Sequence, residues 1–284
     1  MKISFVDFWQ YPKQFDPNNN FFIHSIKKLF ENVEVVDPED ADVMFFSVFG
    51  NENLMYKNCK KIFFTGENLK PDFKKCDYSL SFEFDNYDGK NFRLPLWYLY
   101  IDWFGVGSYG NPDWLIPENY LYQENEFTKK KKNNFCTIVY GSPVESRINA
   151  IQKISKYKKV DVFGKANRNH YLPDGEKYKL NLLSDYKFSL CYENSVSPGY
   201  HTEKLLHGKV AGNVPIYYGS ETVNNDFNSK CFINTINMTD EQFVDIIEQI
   251  DKDSGYYCSI SKEPLFKNKI NINSVIENFY KILN

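Results

Sequence analysis

Residues 188–219 place an unusual amount of polar chemistry between two apolar runs. The first run, "FSLCYEN", and the second, "VPIYYG", each fit a buried strand. The polar side chains that follow the apolar part of the first run include Glu193, Asn194, Tyr200, His201, Glu203 and Lys204. A plain strand–helix–strand connection does not require this many polar groups, so we expect them to serve a ligand.

After the turn "SVSPGY", a helix is expected to open near Tyr200–Glu203, which places Glu203 and Lys204 at its start. The positive helix end contributes about 0.3–1 kcal/mol toward an anion, and a hydrogen bond to a charged group about 1.5–3 kcal/mol. Lys204 therefore suits a phosphate, whereas the Glu203 carboxylate suits paired ribose hydroxyls. Together they fit a nucleoside diphosphate. The competing interpretation is an exposed Glu–Lys pair on a helix surface.

Arg147 is a second candidate for a phosphate. It lies in the first turns of a predicted helix after "YGSPVES", beside the apolar Ile148 and Ile151, which places it near the strand ends. Its planar guanidinium can bridge two phosphate oxygens. The alternative is a surface arginine without a ligand.

Glu67 is the candidate general base. The stretch "FFTGEN" puts it just past a buried strand, and ligands of parallel sheets bind beyond the carboxyl ends of the strands. Burial would raise its pKa toward neutrality and so favour proton abstraction. Otherwise it is a carboxylate of a loop or a helix cap.

His201 could contact a phosphate, move a proton or be an ordinary satisfied imidazole. Two acidic pairs, Asp40/Asp42 and Asp251/Asp253, have D-x-D spacing, but neither ends a strand, where a nucleotide-bound metal would be expected. Cationic side chains and a helix end can stabilise a departing diphosphate without a metal. We therefore predict no required metal and leave open that a divalent ion stimulates the reaction.

The elements that position these residues alternate between short apolar runs and helical patterns. The runs end in Gly, Asn or Asp, as buried parallel strands do. The pattern decays over residues 101–134 and then restarts. We predict an α/β protein of two Rossmann-like domains with mainly parallel sheets facing a central cleft, where the site is expected. The predicted ranges are a first domain at 1–125, a linker at 126–134, a second domain at 135–265, and at 266–284 a last helix that could cross back to the first domain.

Two helix starts carry the spacing of a capping box. Thr239 with Gln242, and Ser274 with Glu277, can each satisfy the first amides of a helix reciprocally. Apolar residues at helical spacing follow both pairs, which predicts a helix at each position.

Composition excludes several classes of protein. The chain of 284 residues has a net charge of −3 with both signs mixed, which argues against a nucleic-acid partner. Its run of four bases, Lys129–Lys132, fits a solvated loop, with a phosphate or membrane headgroup as the alternative. The six cysteines lack CxxC spacing and indicate a reducing compartment. We find no transmembrane pattern and expect a cytoplasmic protein, with peripheral membrane contact left open.

The three blocks of residues 188–219 resemble the signature of the α-1,3/4-fucosyltransferases of glycosyltransferase family 10. "FSLCYENS" matches F-x-x-x-F/Y-E-N-S, "GYHTEK" matches G-Y-x-T-E-K, and "PIYYG" matches P-I/V-Y/W-x-G. "FFTGEN", "FRLPLWY" and "FCTIVYGSPVESR" are similar to the bacterial branch of the family. The resemblance therefore covers most of the chain and is weakest at 101–133.

This resemblance implies the GT-B fold, with GDP-β-L-fucose as donor on the second domain. It also implies inverting transfer of fucose to a hydroxyl of an N-acetylglucosamine-type glycan acceptor, with α-1,3 as the favoured linkage and α-1,4 left open. The roles carried over by position are diphosphate contact for Arg147 and Lys204, ribose contact for Glu203, donor-pocket lining for Asn194 and Tyr200, and proton abstraction for Glu67.

The chain departs from the family pattern at two positions in this region. His201 stands where the family usually has an apolar residue, usually valine, and Tyr218 replaces a common tryptophan. We also find no heptad repeat or basic amphipathic tail of the kind that some bacterial members carry. Two alternatives remain: a GT-B transferase for another GDP-sugar or acceptor, and a nucleotide-sugar-binding protein without catalysis.

Overall fold

The computed structural model describes residues 1–10, 13–164 and 175–284, and the chain divides into two compact units. The first unit contains Met1–Pro117, Pro198–Tyr200 and Ile270–Asn284, and the second contains Glu118–Ser197 and His201–Lys269. Each unit has its own parallel sheet. The predicted α/β class with mainly parallel sheets is therefore confirmed.

Strands and helices alternate in both units. The strands are β1 (Lys2–Val6), β2 (Glu34–Val35), β3 (Val43–Phe46), β4 (Lys60–Phe64), β5 (Tyr78–Ser81), β6 (Asn91–Arg93), β7 (Ile101–Asp102), β8 (Ile116–Pro117), β9 (Asn134–Val139), β10 (Val160–Phe163), β11 (Tyr186–Tyr192), β12 (Val214–Tyr218) and β13 (Ile233–Asn234). The α-helices of the described residues are α1 (Phe21–Lys27), α2 (Glu145–Ile154), α3 (Glu176–Leu183), α4 (Glu203–Val210), α5 (Asp240–Lys252), α6 (Ser254–Ser261) and α7 (Ile272–Leu283).

The sheet of the first unit has the order β2-β1-β3-β4-β5-β6, and all its neighbouring strands are parallel. Every residue of β3 is buried, because the sheet carries an apolar core on each face. This is why the strand reads as a continuous apolar run and not as an alternating one. The short strands β7 and β8 form a separate parallel pair.

The last helix, α7, belongs to the first unit. Val275, Phe279 and Ile282 pack into the same core as the β-strand residue Phe45. The capping box predicted at Ser274 is wrong, because α7 begins at Ile272 and the side chain of Asn271 caps it. Asparagine is as good a cap as serine, and the earlier start packs Ile272 against the core.

The sheet of the second unit has the order β10-β9-β11-β12-β13 and is also parallel throughout. The strand order reverses between β9 and β11, so the carboxyl ends of these two neighbours flank the crevice where ligands of such sheets bind. Helix α2 follows β9 and α4 follows β11. The predicted capping box of Thr239 and Gln242 is confirmed at the start of α5.

The second unit begins at Glu118, so the predicted linker at 126–134 lies inside it. Asn125 donates from Nδ2 to the Val210 carbonyl at 3.1 Å. Lys132 is not a solvated base: its Nζ donates to the carbonyls of Ser184 at 2.8 Å and Ala211 at 2.7 Å. These residues are the C-caps of α3 and α4, whose last carbonyls lack partners within their own helices.

Candidate functional site

Helix α4 begins beyond the carboxyl end of β11, with Thr202 as its N-cap residue. The side chain of Thr202 does not cap the helix. Instead it takes part in a buried arrangement in which Glu193 accepts from the Thr202 backbone N–H at 2.8 Å and from its hydroxyl at 2.8 Å. A carboxylate is favourable at the positive end of a helix. Glu193 was part of the predicted polar cluster, but its role as the anchor of α4 was not foreseen.

The glycine that closes the motif, Gly219, makes room for this carboxylate. A Cβ at Gly219 would lie 2.9 Å from Cγ of Glu193 and 2.3 Å from Oη of Tyr217. The backbone N–H of Glu193 also donates to the Tyr218 carbonyl at 2.9 Å. Glu193 is therefore fixed to β12 as well as to the start of α4.

Lys204, in the first turn of α4, is the cation nearest to Glu193. Its Nζ lies 2.9 Å from Oε2 of Glu193 and 2.8 Å from Oγ1 of Thr202. Burial favours the neutral amine, but Glu193 and Glu203 raise the pKa of Lys204 above its ordinary value. Lys204 is therefore a permanent positive charge at the helix start.

Glu203 also lies in the first turn, between two lysines. Its Oε1 is 3.9 Å from Nζ of Lys204 and 4.0 Å from Nζ of Lys179 on α3. Burial acts to raise the pKa of Glu203, but Lys204 and Lys179 lower it to about 2. The carboxylate is therefore ionised at neutral pH and can accept hydrogen bonds from hydroxyl groups. Sequence reasoning missed Lys179, because only the packing of α3 beside α4 brings it here.

Arg147 is fully buried, so the surface-arginine alternative is wrong. Its Nη2 donates to the Tyr192 carbonyl at 2.6 Å and to Oδ1 of Asn194 at 2.5 Å, and its Nη1 donates to the Ser142 carbonyl at 2.9 Å. The guanidinium thus lies at the carboxyl ends of β9 and β11. Its positive charge is near enough to Lys204 to lower the pKa of that lysine, against the effect of the two glutamates. The two cations that are predicted to bind phosphate therefore interact electrostatically.

Asn194 and Tyr200 have different surroundings. Asn194 is exposed, and Arg147 orients its side chain. Tyr200 is buried in the first unit, where its ring packs edge-on against Phe82 with centroids 5.2 Å apart. Gly199 has φ +80°, and a Cβ there would lie 2.3 Å from the Phe82 carbonyl oxygen. Gly199 and Tyr200, the "GY" of the motif, are thus needed for packing against Phe82. That Tyr200 lines the donor pocket stays a prediction.

His201 is buried with a polar partner on each ring nitrogen. Its Nδ1 lies 2.6 Å from Oδ2 of Asp226, and its Nε2 lies 3.2 Å from Oγ1 of Thr222. Of the three interpretations given by the sequence, the satisfied imidazole is the one that this geometry matches.

Glu67 lies in a turn directly after β4, at the carboxyl edge of the first sheet. The hydroxyl of Thr65 donates to the Glu67 carbonyl at 2.9 Å and accepts from the Glu67 N–H at 3.0 Å. The residue is exposed in this turn. Its role as general base stays a prediction.

Two cavities of the second unit adjoin these residues. One of about 40 Å³ is lined by Lys179, Glu203 and Lys204. A larger one of about 220 Å³ is lined by residues of α2, α5 and the strand ends, among them Ser146, Tyr192 and Tyr218. The rings of Tyr192 and Tyr218 stack with centroids 5.2 Å apart. Sequence reasoning did not single out this larger cavity, because its walls come from segments far apart in the chain.

Three carboxylates of the acidic D-x-D pairs, Asp42, Asp251 and Asp253, have structural partners. Asp251 is ion-paired with Lys158 and Lys187, which hold its pKa below the ordinary value although burial acts to raise it. Asp253 caps α6, and Asp42 accepts from the Lys2 N–H at 2.9 Å. Over residues 1–10, 13–164 and 175–284, no three His, Cys, Asp or Glu side chains are placed to hold a metal ion.

All six cysteines are free thiols. Among the helices of the described ranges, none has both the length and the apolar character to cross a bilayer.

Two models of known protein families match the chain. The α-(1,3)-fucosyltransferase FucT N-terminal domain matches residues 3–100, and the glycosyltransferase family 10 (fucosyltransferase) C-terminal domain matches residues 127–262. The α-(1,3)-fucosyltransferase FucT of Helicobacter pylori is 29% identical over 298 aligned residues, which cover 95% of this chain and 60% of that relative. The chain thus spans less than two thirds of the length of this relative.

Solved structures agree with the family models. A crystal structure of an α1,3-fucosyltransferase superposes with a TM-score of 0.80 at 23% identity, covering 99% of this chain and 89% of that chain. A structure of an α1,3-fucosyltransferase with GDP-fucose gives a TM-score of 0.75 at 22% identity, covering 100% and 90%. The fold is therefore GT-B, as the resemblance implied.

Proposed function

The chain belongs to glycosyltransferase family 10, and we propose that it is an inverting fucosyltransferase that uses GDP-fucose. The proposed acceptor is a hydroxyl of an N-acetylglucosamine-type glycan, such as N-acetyllactosamine, with an α-1,3 bond as product. The observation that carries the proposal is the first turn of α4, where a permanent cation, Lys204, and an ionised acceptor, Glu203, stand side by side.

The donor would lie at the carboxyl edge of the second sheet. Lys204 and the α4 amides would bind the diphosphate, and Arg147 would share its guanidinium between the phosphate and the carbonyls of Ser142 and Tyr192 that it contacts. Glu203 would accept from the ribose hydroxyls, and Asn194 and Tyr200 would line the pocket. The choice of donor is supported by a solved α1,3-fucosyltransferase structure with GDP-fucose.

The reaction would proceed by direct displacement. The acceptor oxygen attacks C1 of fucose from the face opposite the diphosphate, while the bond from C1 to the phosphate oxygen breaks and GDP leaves with the electron pair. Lys204 and Arg147 stabilise the charge that grows on the β-phosphate. Glu67 takes the proton of the acceptor hydroxyl. Because Glu67 is exposed, it acts best once bound substrate has displaced the water around it.

We also propose that the protein works in the cytoplasm, without a required metal and without a nucleic-acid partner. Its six free cysteines suit a reducing compartment. A glycolipid acceptor would bring it to a membrane surface by peripheral contact.

The test is a panel of donors against acceptors with the purified protein. GDP-fucose, GDP-mannose and UDP-sugars are each paired with lactose, N-acetyllactosamine and a type 1 disaccharide. We expect transfer from GDP-fucose, with the linkage and anomeric configuration read by NMR. Transfer from another donor, or retention of configuration, would contradict the proposal.

The variant Glu67→Gln separates an enzyme from a binding protein. We expect it to keep GDP binding and to lose most of the transfer activity. Glu52→Gln, an exposed acidic residue of the same unit, is the matched control and should retain activity. A wild-type protein that binds GDP but transfers nothing to any acceptor of the panel would favour the catalytically silent alternative.

A further inference from the structure

A hydrogen-bonded chain of side chains supports the residue before the α4 N-cap. The side chain of His201 is 0% exposed and that of Asp226 is 7% exposed, with Nδ1 and Oδ2 2.6 Å apart. On the other side of the ring, Nε2 lies 3.2 Å from Oγ1 of Thr222, which lies 2.7 Å from Oγ of Ser220. The chain of contacts therefore runs from Asp226 through His201 to Ser220.

This chain ties the start of α4 to the segment after β12. Residues 220–226 follow that strand directly, and Ser220 is the N-cap of the short 3₁₀ helix Glu221–Asn225. His201 precedes Thr202, whose N–H and hydroxyl contact Glu193, the ion-pair partner of Lys204. The backbone of Glu193 is bonded to Tyr218 of β12. The first turn of α4 is thus held from two sides by β12 and the residues that follow it.

A buried imidazole between a carboxylate and a hydroxyl fixes the backbone more tightly than an apolar side chain of similar size. Both ring nitrogens are used, so the ring has one orientation in which both contacts persist. A valine at this position could fill most of the space but would make neither contact.

We propose that His201 and Asp226 are positioning residues that set the start of α4, and through it the place of Lys204 against the diphosphate. This inference rests on the proposed function, because it needs a nucleoside diphosphate at that helix. It assigns His201 no contact with the ligand and no proton transfer. It predicts that replacing His201 weakens the binding of the β-phosphate more than it weakens the binding of the rest of the nucleotide.

The test measures the dissociation constants of GDP and GMP by isothermal titration calorimetry. The dissociation constant of GMP divided by that of GDP reports the contribution of the β-phosphate, because the two ligands differ only in that group. In the wild type GDP should bind more tightly than GMP. We expect His201→Val to reduce this ratio by about tenfold, the size of one misplaced charge-assisted hydrogen bond. His201→Asn, whose amide can still donate to Asp226, should keep the ratio within about twofold of the wild type.

Two further variants make the result decisive. Ile247→Ala removes buried apolar volume on α5 and should lower the melting temperature without changing the ratio. If His201→Val does not fold, the double variant His201→Val/Asp226→Leu replaces it, with the same reduction of the ratio by about tenfold expected. The second substitution removes the Asp226 carboxylate, which would otherwise be buried next to the apolar valine.

The failure of this inference differs from that of the proposed function. A wild-type protein that binds no GDP, or does not prefer GDP to GMP, contradicts the proposed phosphate grip itself. A wild type that prefers GDP, together with an unchanged ratio in His201→Val or an equal loss in His201→Asn, overturns the positioning role alone.

Discussion

Nζ of Lys204 lies 2.9 Å from Oε2 of Glu193, so the cation proposed to bind a phosphate is already paired with a buried carboxylate. The pairing keeps the ammonium charged and directs it across the start of α4. An incoming phosphate would share Lys204 with Glu193 and would also meet the positive end of the helix and Arg147. The cations at the start of α4 are therefore held in place by internal charge pairs and hydrogen bonds.

The Glu193–Lys204 pair should matter for folding as well as for binding. Glu193→Gln keeps a carbonyl oxygen for the Thr202 N–H but removes the charge that pairs with Lys204. We expect a loss of about 1–3 kcal/mol in the free energy of unfolding, because a partly buried ammonium loses its counter-charge. Urea denaturation at pH 7 measures this loss. The exposed Glu221→Gln is the control and should change stability by less than about 0.5 kcal/mol; equal effects of both substitutions would contradict the role of the pair.

Glu203 should contribute stability that is lost in acid. Its pKa is lowered from an ordinary value of 4.5 to about 2 in the folded protein. The unfolded chain therefore binds a proton at a higher pH than the folded one, so the contribution is complete above pH 4.5 and is lost as the pH falls toward 2.

We expect the stability difference between the wild type and Glu203→Gln to shrink by an amount on the order of a few kcal/mol over this window. Urea denaturation of both proteins from pH 6 down to pH 2.5 measures it. If the difference in the free energy of unfolding between the two proteins stays constant over this range, Lys204 and Lys179 do not lower the pKa of Glu203.

Lys132 should produce a pH dependence of the same sign in alkali. Burial lowers the pKa of Lys132 from 10.5 to about 8, so the folded protein releases this proton before the unfolded chain does. The free energy of unfolding of the wild type, relative to Lys132→Met, should therefore rise between pH 8 and pH 10.5.

Guanidinium titrations across that range measure the effect. The exposed neighbour Lys131→Met is the matched control and should show no such slope against the wild type. A flat difference for Lys132→Met would argue that its ammonium is not buried against the ends of α3 and α4.

Gly199 should tolerate no side chain. At φ +80° an alanine is strained, and its Cβ would lie 2.3 Å from the Phe82 carbonyl oxygen. We expect Gly199→Ala to cost at least about 1–2 kcal/mol of stability, since the left-handed conformation alone costs this much for an L-residue. Gly141→Ala is the control, because no atom lies within 4 Å of a Cβ built there. Thermal denaturation that shifts equally for both variants would count against this explanation.

The sequence predicted the two sheets because their strands are buried and therefore read as apolar runs. It also predicted that a helix opens near Tyr200–Glu203, since Pro198 and Gly199 interrupt the chain just before it, and α4 begins at Glu203. It could not predict that Pro198–Tyr200 belongs to the first unit, because no local pattern records which distant residues a turn packs against.

The partners of the charged groups were harder to predict than the groups themselves. Lys179 reaches Glu203 only because α3 packs beside α4, and Asp226 reaches His201 only because the segment after β12 folds back. The basic run at 129–132 suggested a solvated loop, yet Lys132 caps two helices. In each case the decisive contact joins residues that are distant in the sequence.

The most direct test of the account is a calorimetric titration of GDP into the wild type and Lys204→Met. We predict saturable binding to the wild type, and binding weaker by at least about tenfold in the variant, since a charge-assisted hydrogen bond to phosphate is worth about 1.5–3 kcal/mol. The exposed Lys262→Met should bind GDP as the wild type does. Equal affinities of the wild type and Lys204→Met, or no binding of GDP by the wild type, would contradict the claim that the start of α4 grips a nucleoside diphosphate.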